Sequence, residues 1–167
     1  TFEYRTNRVA LYTGTAIATA DFDLDGDIDL VVSGQDATSG GNPGVRFSRL
    51  YRNDGGFNFT PSTAGLPQNV AYNLSVADVN SDGWLDIYIC NSGRINDGNR
   101  RNKLYINNRN LSFTEAAAQY GLDHSGFCTQ ATFFDYDMDG DLDCLIINNS
   151  PLPFSSLNYA GMRDTDI

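Results

Sequence analysis

Asp21-Phe22-Asp23-Leu24-Asp25-Gly26-Asp27-Ile28-Asp29 returns as Asp78-Val79-Asn80-Ser81-Asp82-Gly83-Trp84-Leu85-Asp86. It returns again as Asp135-Tyr136-Asp137-Met138-Asp139-Gly140-Asp141-Leu142-Asp143. Both intervals between the leading aspartates are 57 residues. The likeness extends beyond these windows. Arg49-Leu50-Tyr51-Arg52-Asn53 recurs as Lys103-Leu104-Tyr105-Ile106-Asn107, Phe57-Asn58-Phe59-Thr60 as Leu111-Ser112-Phe113-Thr114, and Gly65-Leu66 as Gly121-Leu122. A fixed period of this size marks a solenoid, a propeller or an array.

The local structure within one period chooses among these. Thr15–Ala20, Val70–Ala77 and Phe127–Phe134 precede the acidic windows; Ile28–Ser33, Leu85–Cys90 and Leu142–Asn148 follow them. All are short, rich in β-branched, aromatic and small residues, and bounded by turn formers, which predicts strands. The Leu-Tyr and Phe-Thr segments supply a third and a fourth strand. Four short antiparallel strands per unit is the pattern of a β-propeller blade, so the expected fold is all-β. Only Glu115–Tyr120 reads as helix, and Gly40-Gly41-Asn42-Pro43-Gly44 reads as a flexible connection. The expected divisions are 1–14 as the end of a preceding blade, 15–69 and 70–126 as two blades, and 127–167 as the first half of another with a long connection. Propellers close with about four to eight blades, so an incomplete propeller or a fragment is expected. The start at Thr1, without a signal peptide, suggests a mature or trimmed product.

The 167 residues suffice for an ordinary domain core, and 41% of them are hydrophobic, which excludes a disordered acidic tail. The net charge of −10 argues against nucleic acid as a partner, since phosphate binding needs a basic surface. No apolar run reaches the roughly 18 residues that a membrane helix needs. Thirteen of the 21 acidic residues lie in the three windows. Acid at that density disorders a chain by self-repulsion or neutralises cations. One divalent ion per window would bring the charge from −10 to −4.

Calcium fits the spacing. It is a hard cation that takes about six to eight oxygens in irregular geometry. Positions 1, 3 and 5 offer side-chain oxygens: Asp21, Asp23 and Asp25; Asp78, Asn80 and Asp82; Asp135, Asp137 and Asp139. Glycine at position 6 permits a sharp turn. Position 7 offers a backbone carbonyl, so Asp27, Trp84 and Asp141 can interchange, and Asp29, Asp86 and Asp143 complete the shell at position 9. The apolar position 8 (Ile28, Leu85, Leu142) is expected to anchor each loop in the core. An EF-hand would need Glu at position 12 and flanking helices; here position 12 is Val32, Ile89 or Ile146. About three structural calcium ions are therefore expected, in place of solvated acidic turns. Magnesium, which demands strict octahedral geometry, suits the loop less.

The loop between strands, with its downstream Leu-Tyr-x-Asn and Phe-Thr segments, resembles the FG-GAP/VCBS repeat superfamily over residues 15–150. That resemblance implies calcium-bearing propeller blades of the kind also found in integrin α subunits. Asn102–Asn107, Phe133–Asp143 and Asn148-Asn149-Ser150 look like the cartilage-acidic-protein group and its bacterial secreted relatives. The Phe-Gly and Gly-Ala-Pro signatures of integrins are missing, so integrin ligand binding is not carried over.

The functional expectation is a secreted or cell-surface, non-catalytic scaffold or adhesion module with a protein or glycan partner. The alternatives are a lectin binding sugar between blades, with Trp84 or Tyr72 stacking on it, and an accessory domain of a polysaccharide-degrading enzyme. His124, the single histidine, lies in a connection with no local catalytic partner. Nucleophile-elbow, zincin and Walker motifs do not occur. Carboxylates wrapped round calcium stay ionised and make poor general acids. Cys90, Cys128 and Cys144 lack zinc spacing and sit in apolar stretches. Buried free thiols are the first reading; a disulfide between neighbouring repeats is the alternative. Asn58, Asn73 and Asn110 head N-glycosylation sequons.

Overall fold

The computed structural model describes residues 11–37, 43–62, 64–67, 73–91 and 100–149. Strands β1 (Leu11–Ala20), β2 (Asp29–Ala37), β3 (Pro43–Asn53) and β4 (Phe59–Pro61) form one antiparallel sheet in the order β1-β2-β3-β4. A second sheet repeats the order with β5 (Asn73–Ala77), β6 (Asp86–Cys90), β7 (Lys103–Asn107) and β8 (Phe113–Glu115). A third pairs β9 (Cys128–Phe134) with β10 (Asp143–Asn148). Each four-stranded sheet is a meander in sequence order, as in a propeller blade.

The blades pack face to face through their first strands. β5 lies beside both β1 and β9, and the Ser75 hydroxyl donates across the gap to the Ala131 carbonyl. Alternation along β6 divides the interior. Ile87 and Ile89 join Phe22, Val31, Leu50 and Phe113 in a core between the first two blades. Tyr88 and Cys90 face the other way, joining Leu104, Cys128 and Ala131 between the second and third. All five residues of β6 are buried. A strand covered on both faces reads as a continuous apolar run instead of an alternating one, which accounts for Ile87-Tyr88-Ile89-Cys90. Edge-on ring pairs reinforce both cores, Phe22 with Phe113 at 6.0 Å and Tyr88 with Phe133 at 5.6 Å.

The expected helix at Glu115–Tyr120 is a correction. After β8 the chain makes one hydrogen-bonded turn, with Tyr120 N–H donating to the Ala116 carbonyl. Gly121 at φ 68° then reverses it, while Leu122 N–H reaches back to Ala117 and Gly121 N–H to Ala118. This is a Schellman stop imposed after a single turn. The alanines favour helix, but Gly121 stops it; Ala116 and Ala117 are buried, Ala117 in the second core, and Ala118 is exposed. Gly40 to Asn42 and Tyr72 lie outside the described residues, whereas Pro43 and Gly44 already belong to β3.

The three cysteines are free. Cys90 and Cys128 are buried in the core between the second and third blades, with Cys144 packed against it. Its hydrogen bond with Cys128, and burial after it, raise the Cys90 thiol far above its ordinary value. Burial pushes Cys144 up to about 11.

Candidate metal centres

Each acidic window is the turn between the first two strands of a blade, and all three share one backbone. The position-1 carboxylate turns the chain around itself. Asp21 accepts from the backbone N–H of Asp25 at 3.2 Å and of Gly26 at 2.9 Å. Asp78 accepts from Asp82 and Gly83 at 2.9 and 2.7 Å, and Asp135 from Asp139 and Gly140 at 3.2 and 3.1 Å. The position-5 carboxylate then takes the position-7 N–H: Asp25 from Asp27 and Asp82 from Trp84, both at 2.9 Å, and Asp139 from Asp141 at 3.1 Å.

Two residues per loop need positive φ. Gly26, Gly83 and Gly140 lie at 96°, 86° and 97°, beyond where a side chain sits comfortably. Leu24, Ser81 and Met138, at position 4, lie at 59°, 57° and 63°. A left-handed conformation costs an L-residue about 1–2 kcal/mol, so each loop is wound tighter than its sequence prefers. Position 4 escaped the sequence reading because Leu, Ser and Met carry no mark of it.

This winding brings carboxylates together. Oxygens of Asp21, Asp23 and Asp25 lie within 4.8 Å of one another, as do those of Asp135, Asp137 and Asp143. In the second loop position 3 is Asn80, which donates to Asp82 at 3.3 Å. Asp23 Oδ1 is buried and has no hydrogen-bond donor. Burial, and then the charges of Asp29 and Asp25, push the Asp23 carboxyl above its ordinary range. A crowded group of hard oxygens with a buried acceptor lacking a donor suits a divalent cation. Asp27 and Asp141 are exposed, and Trp84 is half-buried.

Position 9 is part of the fold's own hydrogen bonding. Asp29 and Asp86 are buried, and each carboxylate ties its own loop to the end of the blade's third strand. Asp29 accepts from Phe22 N–H at 3.0 Å and Asn53 N–H at 2.8 Å. Asp86 accepts from Val79 N–H at 3.0 Å and Asn107 N–H at 2.8 Å. Burial raises both carboxyls, and these backbone donors partly offset it. Asp143 is exposed and takes the Tyr136 N–H at 2.8 Å.

The expected apolar anchor at position 8 is corrected in the first loop, whereas Leu85 in the second does pack against the core. Ile28 is 52% exposed, and Leu85 and Leu142 are half-buried. The chain uses the carbonyl of position 8 instead: Asn53 Nδ2 donates to Ile28 and Asn107 Nδ2 to Leu85, each at 3.2 Å. Position 2 anchors the first two loops, while Tyr136 in the third is 75% exposed. Phe22 is wholly buried against the second blade, and Val79 packs into the core with the third.

Asn53 and Asn107 are the residues whose role the sequence reading missed. Asn107 Nδ2 also reaches the Phe22 carbonyl at 2.9 Å, tying the second blade to the first loop. Their Oδ1 atoms turn the next hairpin by accepting from Gly55 at 3.2 Å and Arg109 at 2.9 Å. The signal was present, as the last residue of the recurring Leu-Tyr-x-Asn.

A family model described as an FG-GAP-like repeat matches twice, over residues 21–89 and 78–146. The chain belongs to this family. No curated protein matches it. FG-GAP-like repeats generally serve as binding or scaffold modules, are generally non-catalytic and are typical of extracellular proteins.

Proposed function

We propose that the chain is an extracellular, calcium-stabilised propeller module that offers a non-catalytic surface to a protein or glycan partner. The observation that carries the reading is the threefold recurrence of one strained turn, which in the first and third loops gathers the carboxylates of positions 1, 3 and 5 or 9. An ion there offsets the repulsion between those carboxylates and the cost of two left-handed residues per turn. Through Phe22 and Asn107, an ordered first loop also holds the next blade. The ion's role is therefore architectural.

In this reading 15–69, 70–126 and the segment from 127 are successive blades, and the relatives are the cartilage-acidic-protein group and bacterial secreted proteins. Extracellular placement follows from affinity, because weak sites of this kind fill at about 10⁻⁴–10⁻³ M calcium. His124 is exposed, and its carbonyl accepts from Asn102 N–H at 3.0 Å, which fits a connection between blades. Calorimetric melting with a calcium chelator, followed by calcium in excess, tests the reading. The melting temperature should fall by at least about 5 °C and return; a melt indifferent to both additions overturns it.

A further inference from the structure

We infer that Arg109 is a built-in counter-cation of the second loop, holding that loop's affinity for a divalent ion below that of the other two. Arg109 Nη2 lies 3.2 Å from Asp82 Oδ2. Asp82 is thereby occupied on both oxygens: Oδ1 takes the Trp84 N–H, and Oδ2 takes Asn80 Nδ2 as well as the guanidinium. The equivalent Asp25 and Asp139 each accept the position-7 N–H in the first and third loops, and no ion pair to them occurs among the described residues.

The placement of Arg109 is specific to this blade. It occupies the hairpin position that Gly55 fills in the first blade, and both are held by the preceding asparagine. A Cβ at Gly55 would lie 3.5 Å from Asp27 Oδ2, so a side chain at this position necessarily overhangs its own blade's acidic loop. Gly55 has φ 85° and Arg109 φ 65°. The second blade thus carries arginine in a backbone conformation that favours glycine. The side chain it gains reaches one of the loop's three acids.

Charge gives the same order. The first and third loops hold five aspartates each, whereas the second holds three and faces one guanidinium. An entering dication meets roughly half the opposing charge and must displace or tolerate a cation a few ångströms away. At the high effective dielectric of a half-exposed site, one such charge lowers affinity about tenfold. The inference rests on the proposed calcium reading.

Trp84, the single tryptophan, stands at position 7 of this loop and makes it separately observable. Terbium luminescence excited at the red edge of indole absorption reports the second loop, and calorimetric titration with the same ion reports all three. In the wild type, the tryptophan-sensitised signal should saturate at a higher ion concentration than the tightest calorimetric phase. Arg109→Gln should shift the sensitised midpoint about tenfold lower and leave the other phases in place, while Arg109→Lys should stay near wild type. Arg109 is largely exposed, so these variants should fold. Ion binding with an unmoved second-loop midpoint in Arg109→Gln overturns this inference alone. Absence of ion binding in every variant overturns the calcium reading and this inference together.

Discussion

Truncating Asn107 to alanine removes three hydrogen bonds and leaves the Asp86 clamp, which uses the Asn107 backbone N–H, in place. The lost bonds are those to Leu85 and Phe22 from Nδ2 and the one from Arg109 to Oδ1. Each is worth about 0.5–1.5 kcal/mol net, with more at a buried acceptor left bare. Asn107→Ala should therefore cost about 3 kcal/mol. Asn53→Ala is the internal control, because Asn53 occupies the same place in the first blade but makes two such bonds, to Ile28 and from Gly55. Its expected cost is about 2 kcal/mol. The difference of about 1 kcal/mol isolates the bond that crosses between blades. For a chain of this length, 1 kcal/mol moves the melting temperature by about 2–4 °C. Calorimetry in saturating calcium should then place Asn107→Ala about 9 °C and Asn53→Ala about 6 °C below wild type. Equal losses, or a larger loss in Asn53→Ala, would refute the claim that Asn107 joins the blades.

Three further outcomes follow from particular residues. Gly26→Ala should cost about 1–2 kcal/mol by strain alone, because a Cβ there meets nothing within 4 Å; a neutral urea midpoint would contradict the strained turn. Cys90 and Cys128, being buried, should resist a thiol reagent in the native protein, and all three thiols should titrate once it is unfolded. Fewer than three in the unfolded, unreduced chain would mean a disulfide. The ion-free protein should grow more stable as pH falls from 7 towards about 4. Burial raises the folded pKa of Asp86, Asp29 and Asp23, so the stability linked to them is complete below the unfolded value and is lost as pH rises through the folded one. Asp82 and Asp54, lowered chiefly by the Trp84 N–H and the Thr60 hydroxyl respectively, act in the opposite sense, but both are solvent-screened. In excess calcium the slope should reverse, since the ion holds carboxylates ionised. A melting temperature that falls steadily on acidifying the ion-free chain would count against this.

Much of the architecture was legible because a metal-type loop restricts residue type at fixed positions. Asp at 1 and 5 and Gly at 6 each answer a geometric demand that few other residues meet, so the period and the strands around it could be read directly. What stayed hidden depends on backbone atoms. The position-8 carbonyl, the Asn107 N–H and the left-handed position 4 impose little on side-chain identity. Apolarity at Ile28 therefore suggested burial where the structure shows exposure. The buried Asp29 and Asp86 were expected in a metal shell, and their tie from loop to third strand has no sequence mark. The Ala-rich segment after β8 misled in another way: local propensity favoured helix, and the left-handed Gly121 stopped it after one turn.

The central claim is that these loops hold calcium, and equilibrium calcium binding by flow dialysis on the ion-stripped chain tests it most directly. The account predicts saturation near three ions per chain in the range of about 10⁻⁴–10⁻³ M, with the second loop filling last. Less than one ion bound per chain at ten times that concentration would contradict it.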